Sequence, residues 1–474
     1  MARKLQTRPA AQASPVPLSQ ERAPRSVIEF FGGPRGAHAS RPVDVLRSIF
    51  SVGWIFLAFA YLAKANCAAG QRGEDGVVNL NWGGNRQYTS FCYNDIVPLY
   101  GGRGLDKPGF VYAFSWQEGD LTRYMEYPVL AGMFQGVMGL IARNTYGLVD
   151  WAEIPEVGWY FALTALVLSV CWVATLRMVA ELAGNRMWDT VLVAASPLVI
   201  IHAFTNWDIP SITFAVAALV AVKRGHNVLA GVLIGLGTAF KLWPLFMLGA
   251  FLVLAIRNRR WVPFLKMLLA TVVAWVAVNA PIALLYPEAW REFYRLNSTR
   301  GSEWTTIYAA LSRNLPVDIP ISAINVFSLA SFLALCAAIG VFGLRAARTP
   351  RVAEMVYLIL VAFLLMNKVW SPQYSLWLLV PAVLALPSWR LILSWGLFDA
   401  LLWPVLMWHM MGEDNKAIPH EFLDVAILFR DGFIIAIAVL VIRQMLGKGE
   451  DKVLRDNGRD LLAGDFAKVK ANAL

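Results

Sequence analysis

Apolar runs separated by short polar joints fill the chain from residue 47 to residue 446. Runs such as Phe264–Tyr286 and Ile321–Leu344 approach the roughly 20 residues that an α-helix needs to cross a hydrocarbon core of about 30 Å. The same pattern predicts spans near 47–65, 157–176, 188–205, 208–222, 227–240, 242–256, 264–286, 321–344, 353–367, 374–389, 391–410 and 422–443. The fold class implied is an all-α polytopic membrane protein with about twelve transmembrane helices. Two longer polar stretches, 66–126 and 287–320, interrupt the rhythm as loops. The segments from 227 to 256 are short for full spans and include Pro244, so a tilted, broken or hairpin arrangement is expected there.

One moderately apolar run, 127–142, is ambiguous, and charge decides how to read it. Lys and Arg concentrate in cytoplasmic loops. If 127–142 crossed, Arg257, Arg259, Arg260, Arg345, Arg348 and Arg351 would all face outward. If it lies along or dips into the interface, those residues fall inside with Arg177, Arg186, Lys223 and Arg224. An interfacial helix after the first outer loop is therefore the expectation, with both termini cytoplasmic. Residues 1–46, rich in Arg, Pro, Ala and Ser and lacking an apolar run, read as a disordered cytoplasmic tail, and 447–474 as a cytoplasmic C-terminal tail. The membrane domain is 47–446.

Composition excludes other classes. With 58% hydrophobic and 16% charged residues and a mean hydropathy of +0.53, the chain has too much apolar surface for a soluble domain. A net charge of +10 would suit nucleic acid, but the basic residues sit in tails and joints, which points to membrane lipids and against nucleic acid as partners. Cys171 and Cys336 fall inside apolar runs, where a small buried side chain is the plain reading. Cys67 and Cys92 share the first outer loop; a disulfide and two free thiols are both open readings.

The topology gathers unusual polar residues on the outer side. They include Asn94, Asp95, Glu126, the turn Asn206-Trp207-Asp208, Lys241, the stretch 297–304 and the turn Lys368–Tyr374. Charges near membrane depth are costly unless paired or lining a wet cavity, so the gathering is a candidate site. Asp95 is the candidate catalytic base, since a carboxylate there can take a proton from a hydroxyl nucleophile; the plain alternative is a helix N-cap. Glu126, Asp208, Lys241, Lys368, Ser371, Gln373 and Tyr374 are candidate substrate-binding residues. Their plain alternatives are helix-end acids, with N-capping adequate for Asp208, and lysines snorkelling to the interface. Asp399 and Arg430, inside late apolar runs, read as a structural ion pair. A Walker-type loop, Cys/His metal spacing and a Gly-x-Ser-x-Gly elbow are all missing, so neither a cofactor nor a metal site is called for.

Three motifs in order, Tyr93-Asn-Asp-Ile-Val-Pro-Leu-Tyr100, Glu126-Tyr-Pro-Val-Leu130 and Lys368-Val-Trp-Ser-Pro-Gln-Tyr-Ser-Leu-Trp377, resemble glycosyltransferase family 87, above all its actinobacterial members. The resemblance implies a GT-C fold in the plasma membrane and an inverting hexosyltransferase with its active site extracytoplasmic. It implies a polyprenyl-phosphate sugar donor, typically of mannose, a cell-envelope glycolipid or glycan acceptor, and a catalytic aspartate that maps onto Asp95. The stretch 79–86 departs from the family pattern and leaves the acceptor open. The competing class is a transporter or flippase of a lipid-linked saccharide, which alternating access would equip with polar residues on both sides of a pathway.

Overall fold

A computed structural model describes residues 21–32, 41–73, 77–316 and 319–468. Among the described residues, six helices are long and apolar enough to cross a membrane by length and composition: Pro42–Ala65, the run Glu156–Ala194, Trp261–Leu285, Ile321–Arg345, Trp389–His409 and His420–Met445. Shorter apolar helices, Ile209–Lys223, Asn227–Phe240, Trp243–Asn258, Val352–Met366 and Pro372–Ala385, fill the path between them. The expected span at 188–205 is broken: Val191–Ala194 and Pro197–His202 are separate helices. Ser196 caps the second by accepting from Leu198 N at 3.3 Å, and Pro197 in its first turn has no N–H to leave unpaired.

The helices pass back and forth between two faces. On one, here the loop face, the end of Pro42–Ala65 meets the start of Glu156–Ala183. A Cβ on Gly158 would stand 2.7 Å from the Ala68 carbonyl, Arg72 pairs with Glu153 at 2.9 Å, and Tyr100 donates to Glu156. The helix Val129–Thr145 lies between these two points in sequence. It therefore starts and ends on the face where the first span ends, and it does not carry the chain across. Glycines let the outer loop press onto it: a Cβ on Gly139 would come within 2.6 Å of the Leu105 carbonyl.

The opposite face carries both described ends of the chain. Arg186 pairs there with Asp189 at 2.6 Å, Asp456 at 2.5 Å and Glu21 at 3.3 Å, and Arg351 with Asp451 at 2.9 Å. Arg257 donates to the Gly343 and Ala346 carbonyls at 2.7 Å, and Arg224 pairs with Glu181 at 2.7 Å. The basic joints thus share this terminal face.

Of three expectations, two change and one is met. First, the N-terminal stretch is not featureless: Arg22–Gly32 is a helix with Ile28 buried, and the first span begins at Pro42 rather than 47. An apolar stripe of Val27, Ile28 and Phe31, spaced for one helix face, packs on the bundle where overall composition shows only polarity. The remainder of that expectation, residues 1–20 and 33–40, lies outside the described residues. The C-terminal stretch also folds back, with helix Lys452–Asn457 and Phe466 fully buried. Second, the 227–256 region is broken as expected, into two helices that part at Lys241, whose backbone is extended (φ −150°, ψ 144°). Third, Asp399 and Arg430 form no direct ion pair. Arg430 pairs with its neighbour Asp431 at 2.9 Å, donates to the Thr305 carbonyl at 2.6 Å and lies 3.5 Å over the Trp370 ring, while Asp399 accepts from Trp395 Nε1 at 3.1 Å. The adjacent acid and the Thr305 carbonyl take Nε and Nη2 of the guanidinium, and Nη1 has no hydrogen-bond partner among the described residues.

The two-face arrangement is testable by labelling. With Cys171 and Cys336 replaced by serine, a membrane-impermeant thiol reagent applied to one side should modify D120C and D414C together, or H226C and E450C together. Labelling of one residue from each pair from the same side would contradict the topology.

Candidate active site

The site is assembled around the run Cys92–Asp95. A disulfide joins Cys67, just past the first span, to Cys92, with Cα atoms 5.4 Å apart. Lys64, buried in that span, donates to the Tyr93 carbonyl at 2.9 Å. Asn94 then does the capping: its Oδ1 accepts from Val97 N at 3.0 Å at the start of helix Ile96–Gly102. Asp95 occupies the N-cap position but makes no side-chain capping bond. Its carboxylate is left for other partners.

Those partners come from distant parts of the chain. Tyr93 donates its hydroxyl to Asp95 Oδ1 at 3.0 Å, and Asn206 donates Nδ2 to Asp95 Oδ2 at 2.7 Å. The Asp95 N–H donates to the Thr205 carbonyl at 2.7 Å, which fixes the two loops against each other. The same Asn206 nitrogen donates to the Tyr127 hydroxyl at 3.0 Å, and its Oδ1 accepts from Lys241 Nζ at 3.3 Å. Lys241 also stands 3.5 Å from Asp208 Oδ1 and 5.1 Å from the centre of the Tyr127 ring. The extended backbone at the helix break is what brings the lysine inward.

Asp208, like Asp95, sits at an N-cap without capping. Its Oδ1 accepts from Trp377 Nε1 at 3.0 Å, so the expected capping role gives way to a pairing across the site. Trp377 stacks on Tyr374 with centroids 3.9 Å apart and on Trp243 at 5.9 Å. Tyr374 thereby faces Lys241, 6.0 Å from its ring centre. Asp208, Lys241 and Tyr374 thus join the Asp95 cluster.

The other candidates are placed differently. Glu126 is taken by Arg103, whose Nε lies 2.8 and 2.7 Å from its two oxygens, and it reaches the cluster only through its neighbour Tyr127. Lys368 donates to the Arg300 carbonyl at 2.7 Å and lines a separate cavity of about 190 Å³ with Asn325, Ser328 and Phe332 among its walls. Gln373 is buried, and Ser371 is half-buried at the start of the turn that carries Tyr374. Sequence reasoning placed the Asn206 turn and the 297–304 stretch in the outer gathering but gave no role to Asn206, Arg300 or Glu303, and it did not single out Tyr93 or Tyr127. Glu303 is close enough to Asp95 that each charge raises the other's cost, and its N–H donates to the Lys368 carbonyl at 2.9 Å.

Electrostatically the site is tuned rather than neutralised. Burial holds the Asp95 carboxyl above its ordinary value, opposed by the hydrogen bonds from Asn206 and Tyr93 and by the Lys241 charge, while Asp208 adds to the rise. Burial likewise raises Glu303, with Arg300 opposing. A carboxylate held this way, with one oxygen on a neutral amide and the other on a phenol, is suited to accept a proton from a hydroxyl. The nearby ammonium suits an anion.

With this geometry in view, comparison with known proteins gives a family match: the sequence model of glycosyltransferase family 87 matches residues 146–372. Over that stretch, just under half of the chain, the sequence is similar to glycosyltransferase family 87. The family-87 region contains Asn206, Asp208, Lys241, Arg300, Glu303, Lys368 and Ser371; Asp95 and Glu126 precede it, and Gln373 and Tyr374 follow it directly. No curated protein matches the chain. Among solved structures, the crystal structure of ArnT from Cupriavidus metallidurans bound to undecaprenyl phosphate is similar at 13% identity and a TM-score of 0.39, over 88% of this chain and 77% of that one.

The Asn206 contact has a pH signature. Its hydrogen bond favours the ionised form of Asp95, so Asn206→Ala should raise that carboxyl further and move the acid limb of a glycosyl-transfer profile to higher pH. The sign is that of a carboxylate acting as a base, which accepts a proton only when ionised: activity then falls as pH drops through the folded-state value. An unmoved limb across about pH 4 to 8 would contradict the role given to Asn206.

Proposed function

We propose that this membrane glycosyltransferase moves a sugar, which we take to be mannose, from a polyprenyl-phosphate donor to a glycolipid or glycan acceptor of the cell envelope. The loop face is then extracytoplasmic, a reading supported by the basic joints on the other face. The observation that carries the proposal is the half-buried Asp95 carboxylate, oriented by Asn206 and Tyr93 beside Lys241 on the loop face that the family-87 region also reaches.

The reaction is a direct displacement. The acceptor O–H proton passes to Asp95 as its oxygen bonds to the anomeric carbon; the bond from that carbon to the phosphate oxygen breaks, and polyprenyl phosphate departs. Attack opposite the leaving group inverts the configuration. Because the leaving group is already a phosphate, a nearby cation matters more than a strong general acid. Lys241 supplies that charge at the cluster, and Lys368 lies farther along, at the cavity beside Arg300.

A midplane charge pair would also suit a transporter, but Arg430 pairs with Asp431 rather than Asp399. An assay of the purified chain with polyprenyl-phosphate mannose and a lipid-linked glycan separates the two readings. A transferase releases polyprenyl phosphate, and a flippase moves the donor intact. Asp95→Asn should lower transfer by about 10²- to 10⁴-fold while donor binding persists. Lys241→Met should lower kcat more than it weakens acceptor binding. Wild-type turnover by the Asp95 variant would overturn the assignment.

A further inference from the structure

A cavity lined by charged side chains lies at the terminal face, on the opposite side of the bundle from Asp95. It has a volume of about 650 Å³, and its lining includes Lys223, Arg224, Arg348, Arg351, Arg459 and Lys468. Only Asp460 and Asp465 oppose these six cations from within the lining. The volume falls in the range of small-molecule sites, roughly 300–1,000 Å³.

The partners of these groups show which charges are left over. Arg351 is spent on Asp451 at 2.9 Å and on the Leu384 carbonyl at 2.8 Å. Arg348 pairs with Glu354 and Asp451, and Arg224 with Glu181. The two lining acids are held by neutral donors: Asp460 accepts from Val352 N at 2.8 Å and Leu462 N at 3.0 Å, and Asp465 from Asn227 Nδ2 at 2.7 Å. Arg459 and Lys468 make no ion pair or side-chain hydrogen bond among the described residues, and Arg459 lies near enough to repel Lys223. Lys223 itself donates only to a backbone carbonyl, that of Glu181.

Like charges crowded around a concave space repel unless an anion sits between them. An arginine fork and two ammonium groups are complementary to a phosphate. The cavity also stands where spans end, beside Lys223 of Ile209–Lys223 and Asn258 of Trp243–Asn258, so it opens at headgroup depth. We propose that this cavity is a binding site for a phosphate ester, with Lys223, Arg459 and Lys468 as its anion-binding groups, separate from the glycosyl-transfer site. A phospholipid headgroup and a soluble phosphate ester share this chemistry.

The test uses the full chain in nanodiscs or detergent. Pyrophosphate is titrated against thermal stability, and retention of phosphatidylglycerol over phosphatidylcholine is read by native mass spectrometry. Saturable binding of either probe is expected, with phosphatidylglycerol alone identifying a lipid source and pyrophosphate alone a soluble one. The double variant R459Q/K468Q should weaken that binding by tenfold or more. The control R390Q/R443Q, which removes the same charge from exposed positions outside the cavity, should not. Failure of the wild type to bind either probe, unchanged affinity in R459Q/K468Q, or equal loss in the control would each overturn the proposal. None of these outcomes depends on whether Asp95 is the base.

Discussion

The side-chain amide of Asn206 holds the loop face together. Its nitrogen reaches the Asp95 carboxylate from the first outer loop and the Tyr127 hydroxyl at the start of the non-crossing helix, while its oxygen takes the Lys241 ammonium from the broken helix pair. A carboxylate and an ammonium buried near membrane depth would be costly if solvated by nothing. One neutral group with a donor and an acceptor end lets both persist without collapsing onto each other. The charges stay available for chemistry because Asn94 relieves Asp95 of capping, and Trp377 shares Asp208 with Lys241.

The span pattern was readable because hydropathy is a local property, and the fate of 127–142 was readable because Arg257, Arg348 and their neighbours report on orientation. Asp95 and Lys241 were readable as charges in costly places. The Asn206 turn was placed on the same side, but the role of its amide was not readable, since an uncharged amide carries no such signal until its partners are known. The direction of Lys368 was equally hidden. It depends on how the 297–304 stretch folds over it and offers the Arg300 carbonyl. The Asp399–Arg430 pairing failed for the converse reason, as a sequence pattern cannot rank an acid on a neighbouring helix against the adjacent Asp431.

The two faces use charge differently. On the loop face, acids and cations interleave with aromatic rings, with Tyr374, Trp377 and Trp243 stacked into one wall beside Lys241. Such a wall offers an apolar surface to a ring or lipid and an ammonium to a phosphate. On the terminal face, guanidinium groups are mostly consumed in tying the chain ends to the joints, as Arg186 and Arg351 do. That network explains why residues 452–468, polar as they are, pack onto the bundle, and the few cations it leaves unpaired surround the basic cavity.

The central claim is that Asp95 takes the acceptor proton. Cryo-electron microscopy of the full chain with bound polyprenyl-phosphate sugar and acceptor tests it most directly. The account places the acceptor hydroxyl within roughly 2.6–3.2 Å of the Asp95 carboxylate, with the anomeric carbon just beyond it and the phosphate on the lysine side. A sugar seated on the loop face with Glu303, rather than Asp95, on the attacking hydroxyl would contradict it, as would a donor bound at the terminal face.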